Sequence, residues 1–91
     1  MTWDAVQFET TIGVDVKGDV WSCVAIPDSA ELFGSGRSTR VDATIDDVVL
    51  ANVGAVPTGT GRHMVSISAK VRKQLGKDVG DAVTVRIAPP A

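Results

Sequence analysis

The chain has 91 residues, a formal net charge of −2, one cysteine and one histidine, and it is 44% apolar with only 4% aromatic residues. That length suits one domain, 1–91, around a single core. The slight acidity gives no general attraction to nucleic acid or an anionic membrane. A lone Cys23 makes no internal disulfide, and one Cys with one His falls short of a zinc site. No apolar run approaches the roughly 18 residues of a spanning helix and no signal-peptide plan opens the chain, so the expectation is a cytoplasmic protein without metal or cofactor.

From Phe8 the sequence alternates, with Phe8, Thr10, Ile12, Val14 and Val16 on one face, which predicts a strand buried on one side. Lys17-Gly18-Asp19 is a turn signal, Val20 to Ile26 is the returning strand, and Pro27 ends it. Asp28-Ser29-Ala30-Glu31 has the spacing of a capping box; Leu32-Phe33 gives an apolar edge and Gly34 a stop, so one or two helical turns are expected before the Ser35–Ser38 loop. Thr39 to Ile45 alternates again, with Val41, Ala43 and Ile45 inward; Asp46-Asp47 makes a turn and Val48 to Val53 returns. Gly54 to Gly61 is predicted as a loop and Arg62 to Ser68 as a strand, with His63, Val65 and Ile67 on one face and Met64, Ser66 and Ser68 on the other. Ser68 caps a helix over Ala69–Leu75 that Gly76 closes, Val79-Gly80-Asp81 turns, and Ala82 to Ile87 is the last strand, stopped by Pro89-Pro90.

Two stretches share a plan. Val24 to Ile45 and Val65 to Ile87 each read strand, short helix, an apolar residue followed by glycine (Phe33-Gly34; Leu75-Gly76), loop and alternating strand. The offset is 41 residues at the start and 42 at the end. Each unit has apolar faces that it cannot cover alone and that a second copy covers, and a barrel made of two such halves hides its sheet edges.

The ordered residues Phe8, Trp21, Ile26-Pro27, Phe33-Gly34, Gly36-Arg37 and Val41, followed by Pro57, Gly59-Thr60-Gly61-Arg62-His63, Val65, Leu75-Gly76 and Gly80-Asp81-x-Val83-x-Val85, resemble a small bacterial and archaeal family, domain of unknown function 1905. Asp47 stands where that family more often has glycine. The resemblance implies a double-split barrel, similar in shape to swapped-hairpin transcription regulators, and no settled activity. Together the pattern and the resemblance predict an all-β fold: a small, partly open β-barrel of about six or seven mostly antiparallel strands, with two short helices and a pseudo-twofold repeat. Such a barrel needs no second copy, so a monomer is expected.

No catalytic constellation is present. There is no Gly-x-Ser-x-Gly elbow, Cys23 reads as a small buried hydrophobe, and Asp46-Asp47 as turn residues. The loops Gly34-Ser35-Gly36-Arg37 and Gly59-Thr60-Gly61-Arg62-His63 set backbone N–H groups beside a guanidinium, a combination that can hold phosphate or carboxylate, while the plainer reading is that the glycines only turn the chain. The leading expectation is therefore a non-enzymatic binding module for a small anion or a protein partner, with Arg37, Arg40, Arg62, His63 and Lys70 as contacts. The alternative is DNA binding through the basic run Arg62, Lys70, Arg72, Lys73 and Lys77, opposed by the acidic balance and by aromatics (Phe8, Trp21, Phe33) that read as core instead of as a stacking surface. A small enzyme of unknown chemistry is the third reading.

Overall fold

The computed structural model describes residues 3–91. The elements in chain order are β1 (Val6–Thr11), β2 (Val14–Val16), β3 (Asp19–Trp21), β4 (Cys23–Ile26), α1 (Ser29–Phe33), β5 (Thr39–Ile45), β6 (Val48–Pro57), β7 (His63–Ser66), α2 (Ala69–Leu75) and β8 (Ala82–Ala88). Six strands form one antiparallel sheet in the order β1-β8-β5-β6-β7-β4, which curls into a nearly closed barrel; β2 and β3 form a separate hairpin. The period-two residues fill the interior: Val24, Ile26, Val41, Ala43, Ile45, Val65, Val83, Val85 and Ile87 are all buried, and Phe8, Phe33 and Leu75 pack against them. No helix among the described residues is long and apolar enough to cross a membrane.

The repeat is visible in the strand register. Val24 pairs with Val65, with Cys23↔Ser66 on one side and Ala25↔Met64 on the other, so β4 and β7 exchange about that pair. Thr44 pairs with Arg86, flanked by Ala43↔Ile87 and Ile45↔Val85, so β5 and β8 exchange about that one. Each half supplies one strand to each central pairing, and neither has a closed core without the other.

The expected first hairpin is cut in two. The stretch from Phe8 to Val16 breaks at Ile12-Gly13, and Val20 to Ile26 breaks at Ser22. The first part of one pairs with β8 as β1, the last part of the other pairs with β7 as β4, and the segments between them pair with each other as β2–β3. Gly13 is the pivot at φ +134°, where a Cβ would lie 3.3 Å from Val79 and 3.4 Å from Val20. The hairpin turn forms at Lys17-Gly18, both in the left-handed region. Trp21 sits on this hairpin and is 47% exposed, not part of the core.

Three further expectations change. Gly54 to Pro57 continues β6, whose Ala55, Val56 and Pro57 pair with Val65, Met64 and His63, so the loop shrinks to the residues around Gly59 and Gly61. Met64 is buried alongside His63 and Val65, because β7 is enclosed by β4 and β6. The capping box at Asp28 does not form: Asp28 is left-handed at φ 53° with no side-chain cap bond, and Ser29 lies inside the helix. At α2 the expected cap is present, with Ser68 accepting from the Val71 N–H at 3.2 Å.

Candidate functional site

Burial of His63 organises the region where the sequence placed its ligand contacts. The side chain is 1% exposed. Its Nε2 lies 2.7 Å from the Arg37 carbonyl, which only accepts, so Nε2 carries a proton. Ser29, fully buried, accepts the His63 main-chain N–H at 2.7 Å, and its hydroxyl proton serves Nδ1 at 2.8 Å. Phe33 stacks edge-on to the imidazole at 4.9 Å, and Trp3 packs edge-on to Phe33 at 5.1 Å. His63 is thus a structural tie joining α1, the loop after it and β7, with both ring nitrogens occupied. It is not available as the ligand contact the sequence suggested. The tie does bring the two glycine-rich loops together, which their offset in the repeat gave no reason to expect.

Arg62 stands beside that tie on a fixed main chain. Its carbonyl accepts from the Thr58 N–H at 2.9 Å and from the Thr58 hydroxyl at 3.3 Å, while the next residue is pinned to Ser29. The Thr60 N–H and hydroxyl both meet Thr58 Oγ1. The guanidinium is exposed, makes no ion pair among the described residues, and borders two depressions. One, of about 270 Å³, is lined by Gly13, Val14, Asp15, Ala25, Thr58 and Thr60; the other, of about 210 Å³, by Asp28, Ala30, Glu31 and Gly61.

The other candidates are dispersed. Arg37 is exposed, and its contribution to the tie is its carbonyl. Arg40 lies on β5, where its Nε donates to Asn52 at 3.2 Å. Lys70 is exposed on α2. The basic run from Arg62 to Lys77 is partly neutralised by acids outside it, Arg72 pairing with Asp78 at 3.1 Å and Lys77 with Asp46 at 2.7 Å. Arg72 and Lys73 fall in the last turn of α2, where cations complement the helix dipole, and Arg72 also donates to the Ile67 carbonyl. Asp46 accepts from Lys77 and from the Thr84 N–H, which holds its carboxyl below the usual value of 3.8. Cys23 is buried on β4; desolvation raises its thiol pKa, opposed by a bond to Ser66, so it carries no reactive thiolate.

Sequence reasoning missed a feature made by the path of the chain. The barrel is not closed between β1 and β4: no ladder joins these strands, and Gly13 N–H donates to the Cys23 carbonyl at 2.8 Å at one end of the gap. Further along lies a groove of about 430 Å³ lined by Val6, Gln7, Phe8, Pro27, Asp28, Glu31 and Leu32. A signal was available in Gly13, the sole glycine inside the first alternating run, which marks where β1 leaves the sheet.

A family model described as Domain of unknown function (DUF1905) matches residues 8–87. Among curated proteins nothing matches the sequence.

Proposed function

We propose a function for this chain, which belongs to the family described as Domain of unknown function (DUF1905), from its own surface: it is a non-enzymatic interaction module that engages a polypeptide partner. The observation that carries this reading is the open seam between β1 and β4. A sheet edge left without a ladder offers main-chain donors and acceptors to another chain, and here the edge lies beside a groove with Val6, Phe8 and Leu32 half-buried in its wall. Ser29 and His63 have the reach of a nucleophile and its base, but both are buried, so no substrate meets them. The DNA reading loses support from the pairing of Arg72 and Lys77 with acids.

Mapping amide shifts of the isotope-labelled protein during titration with a pool of short extended peptides tests this. Shifts clustered at residues 6–9 and 27–32 are expected; shifts confined to residues 62–77 would replace the reading with one centred on the basic run.

One observation favours a second ligand, a small anion at Arg62. Its main chain is already held by Thr58, so binding has only the side chain to order, and its guanidinium has no competing ion pair among the described residues. The acids Asp15, Asp28 and Glu31 around the same depressions oppose it electrostatically. Phosphate and short carboxylates are expected to raise the melting temperature only if this site operates, and Arg62→Ala then removes the rise.

A further inference from the structure

The main-chain groups of β1 have a direction that the register fixes. Ile12 N–H donates to the Asp81 carbonyl and the Ile12 carbonyl accepts from Gly80, so the even-numbered residues of β1 turn their amides towards β8. Gly13 turns the opposite way and donates to Cys23 across the seam. Alternation then directs the N–H and C=O of Gln7 and Glu9 to the Gly13 side, into the seam, where no hydrogen bond from β4 or α1 meets them among the described residues. In the other half, β6 continues as far as Pro57 and pairs with β7, and α2 packs against it. In this half the chain leaves at Gly13, and α1 is two residues shorter than α2, which leaves the groove uncovered.

The charged residues that line that groove are acidic, although Arg62 shares the adjoining depression with Asp28 and Glu31. Asp28 and Glu31 line it and Glu9 flanks it on β1. None of the three is in an ion pair among the described residues, and no basic residue lines the groove. Apolar side chains in the wall, free strand amides along one side and unpaired carboxylates at the rim select a specific chemistry. We propose that the seam takes an extended polypeptide segment bearing Lys or Arg, which adds as a strand along the free edge of β1. Apolar residues of the segment pack on Val6, Phe8 and Leu32 while its cations meet Glu31, Asp28 and Glu9. A helix or a folded surface would leave the amides of Gln7 and Glu9 buried without partners. This deepens the interaction reading and rests on it.

The test is fluorescence anisotropy with the whole chain and two short labelled probes, one alternating Val with Lys and one alternating Val with Glu. Saturable binding of the Val–Lys probe is expected, at least ~10-fold tighter than that of the Val–Glu probe. Gln7→Pro removes a seam-facing N–H without touching the β8 ladder, and proline is tolerated on an edge; it is expected to weaken Val–Lys binding by at least ~10-fold. Glu31→Lys, an exposed change on α1 that leaves the strand intact, is expected to weaken it too, so the outcome does not depend on Gln7→Pro folding well. If both probes bind equally and both are lost in Gln7→Pro, the seam is a docking site but the cationic partner is wrong. If Val–Lys binding survives both substitutions, the placement is overturned. If neither probe saturates, both the cationic segment and the interaction reading fall.

Discussion

At the end of α1, Gly34 N–H bonds the Glu31 carbonyl and Ser35 N–H bonds the Ala30 carbonyl; at the end of α2, Gly76 bonds Lys73 and Lys77 bonds Arg72, the same four places 42 residues on. Both glycines adopt the left-handed conformation that ends a helix without a Cβ clash. The beginnings of the two helices differ. α2 starts at a capping Ser68 and buries Val71; α1 starts at an uncapped, left-handed Asp28 and buries Ser29, the position that the 42-residue offset matches to Val71. One half is anchored to the barrel by an apolar side chain, the other by a hydrogen-bonded serine. The repeated backbone therefore does not need repeated contacts, and the polar version brings two loops together that the apolar version leaves apart.

Substitution of the two anchors tests that contrast most severely. Ser29→Ala deprives His63 of a partner for its main-chain N–H and for Nδ1, both buried, and is expected to cost about 3 kcal/mol in urea unfolding. Val71→Ala removes only apolar contacts and is expected to cost about 2 kcal/mol. A larger loss at Val71 than at Ser29 would mean that the tie is replaceable and the two halves are held alike.

The cap is the next smaller effect. Ser68→Ala is expected to lower stability by about 1 kcal/mol, with hydrogen exchange accelerating in α2 and unchanged in α1. Acceleration in both helices would show that the halves do not open separately. Smaller still is the contact that ties the α2 half to the β5–β6 turn. The Asp46 pKa is lowered in the fold by Lys77 and then by the Thr84 N–H, so its contribution is complete above the usual value of 3.8 and fades as pH falls through the lower folded value. Both partners are partly exposed, which limits the pair to under ~1 kcal/mol. Asp46→Asn is expected to flatten the acid limb of the stability curve and leave the rest in place; an unchanged acid limb would assign that limb to other carboxylates.

The local rules read the α2 half almost complete. Alternation gave β5 and β8 with their inward residues, and the pairing of Ser68 with Gly76 bounded α2, because each depends on neighbours in sequence. The α1 half was misread where a distant residue decides. Asp28 to Glu31 has capping-box spacing, but Ser29 is drawn inside by His63, 34 residues away. Alternation continues unbroken from Phe8 to Val16 although the chain changes sheets at Gly13, because the β2–β3 hairpin keeps the same period. Arg62 was legible as an exposed cation; the burial of His63 and the seam beside Gln7 were not, since both arise from strands brought together across the fold.

The smallest effect separates the two accounts of how α1 begins, and its sign matters more than its size. If Asp28 were an N-cap, Asp28→Gly would cost a few tenths of a kcal/mol, the usual difference between those residues at a cap. Asp28 makes no such bond and is held at φ 53°, where a Cβ is strained and glycine is not. Relief of that strain competes with the greater freedom of glycine in the unfolded chain. The expected net change is a stabilisation of at most ~0.5 kcal/mol, read as a higher urea midpoint with an unchanged slope. A lower midpoint accompanied by faster hydrogen exchange in α1 would place a cap at Asp28 after all and make the helix starts of the two halves equivalent.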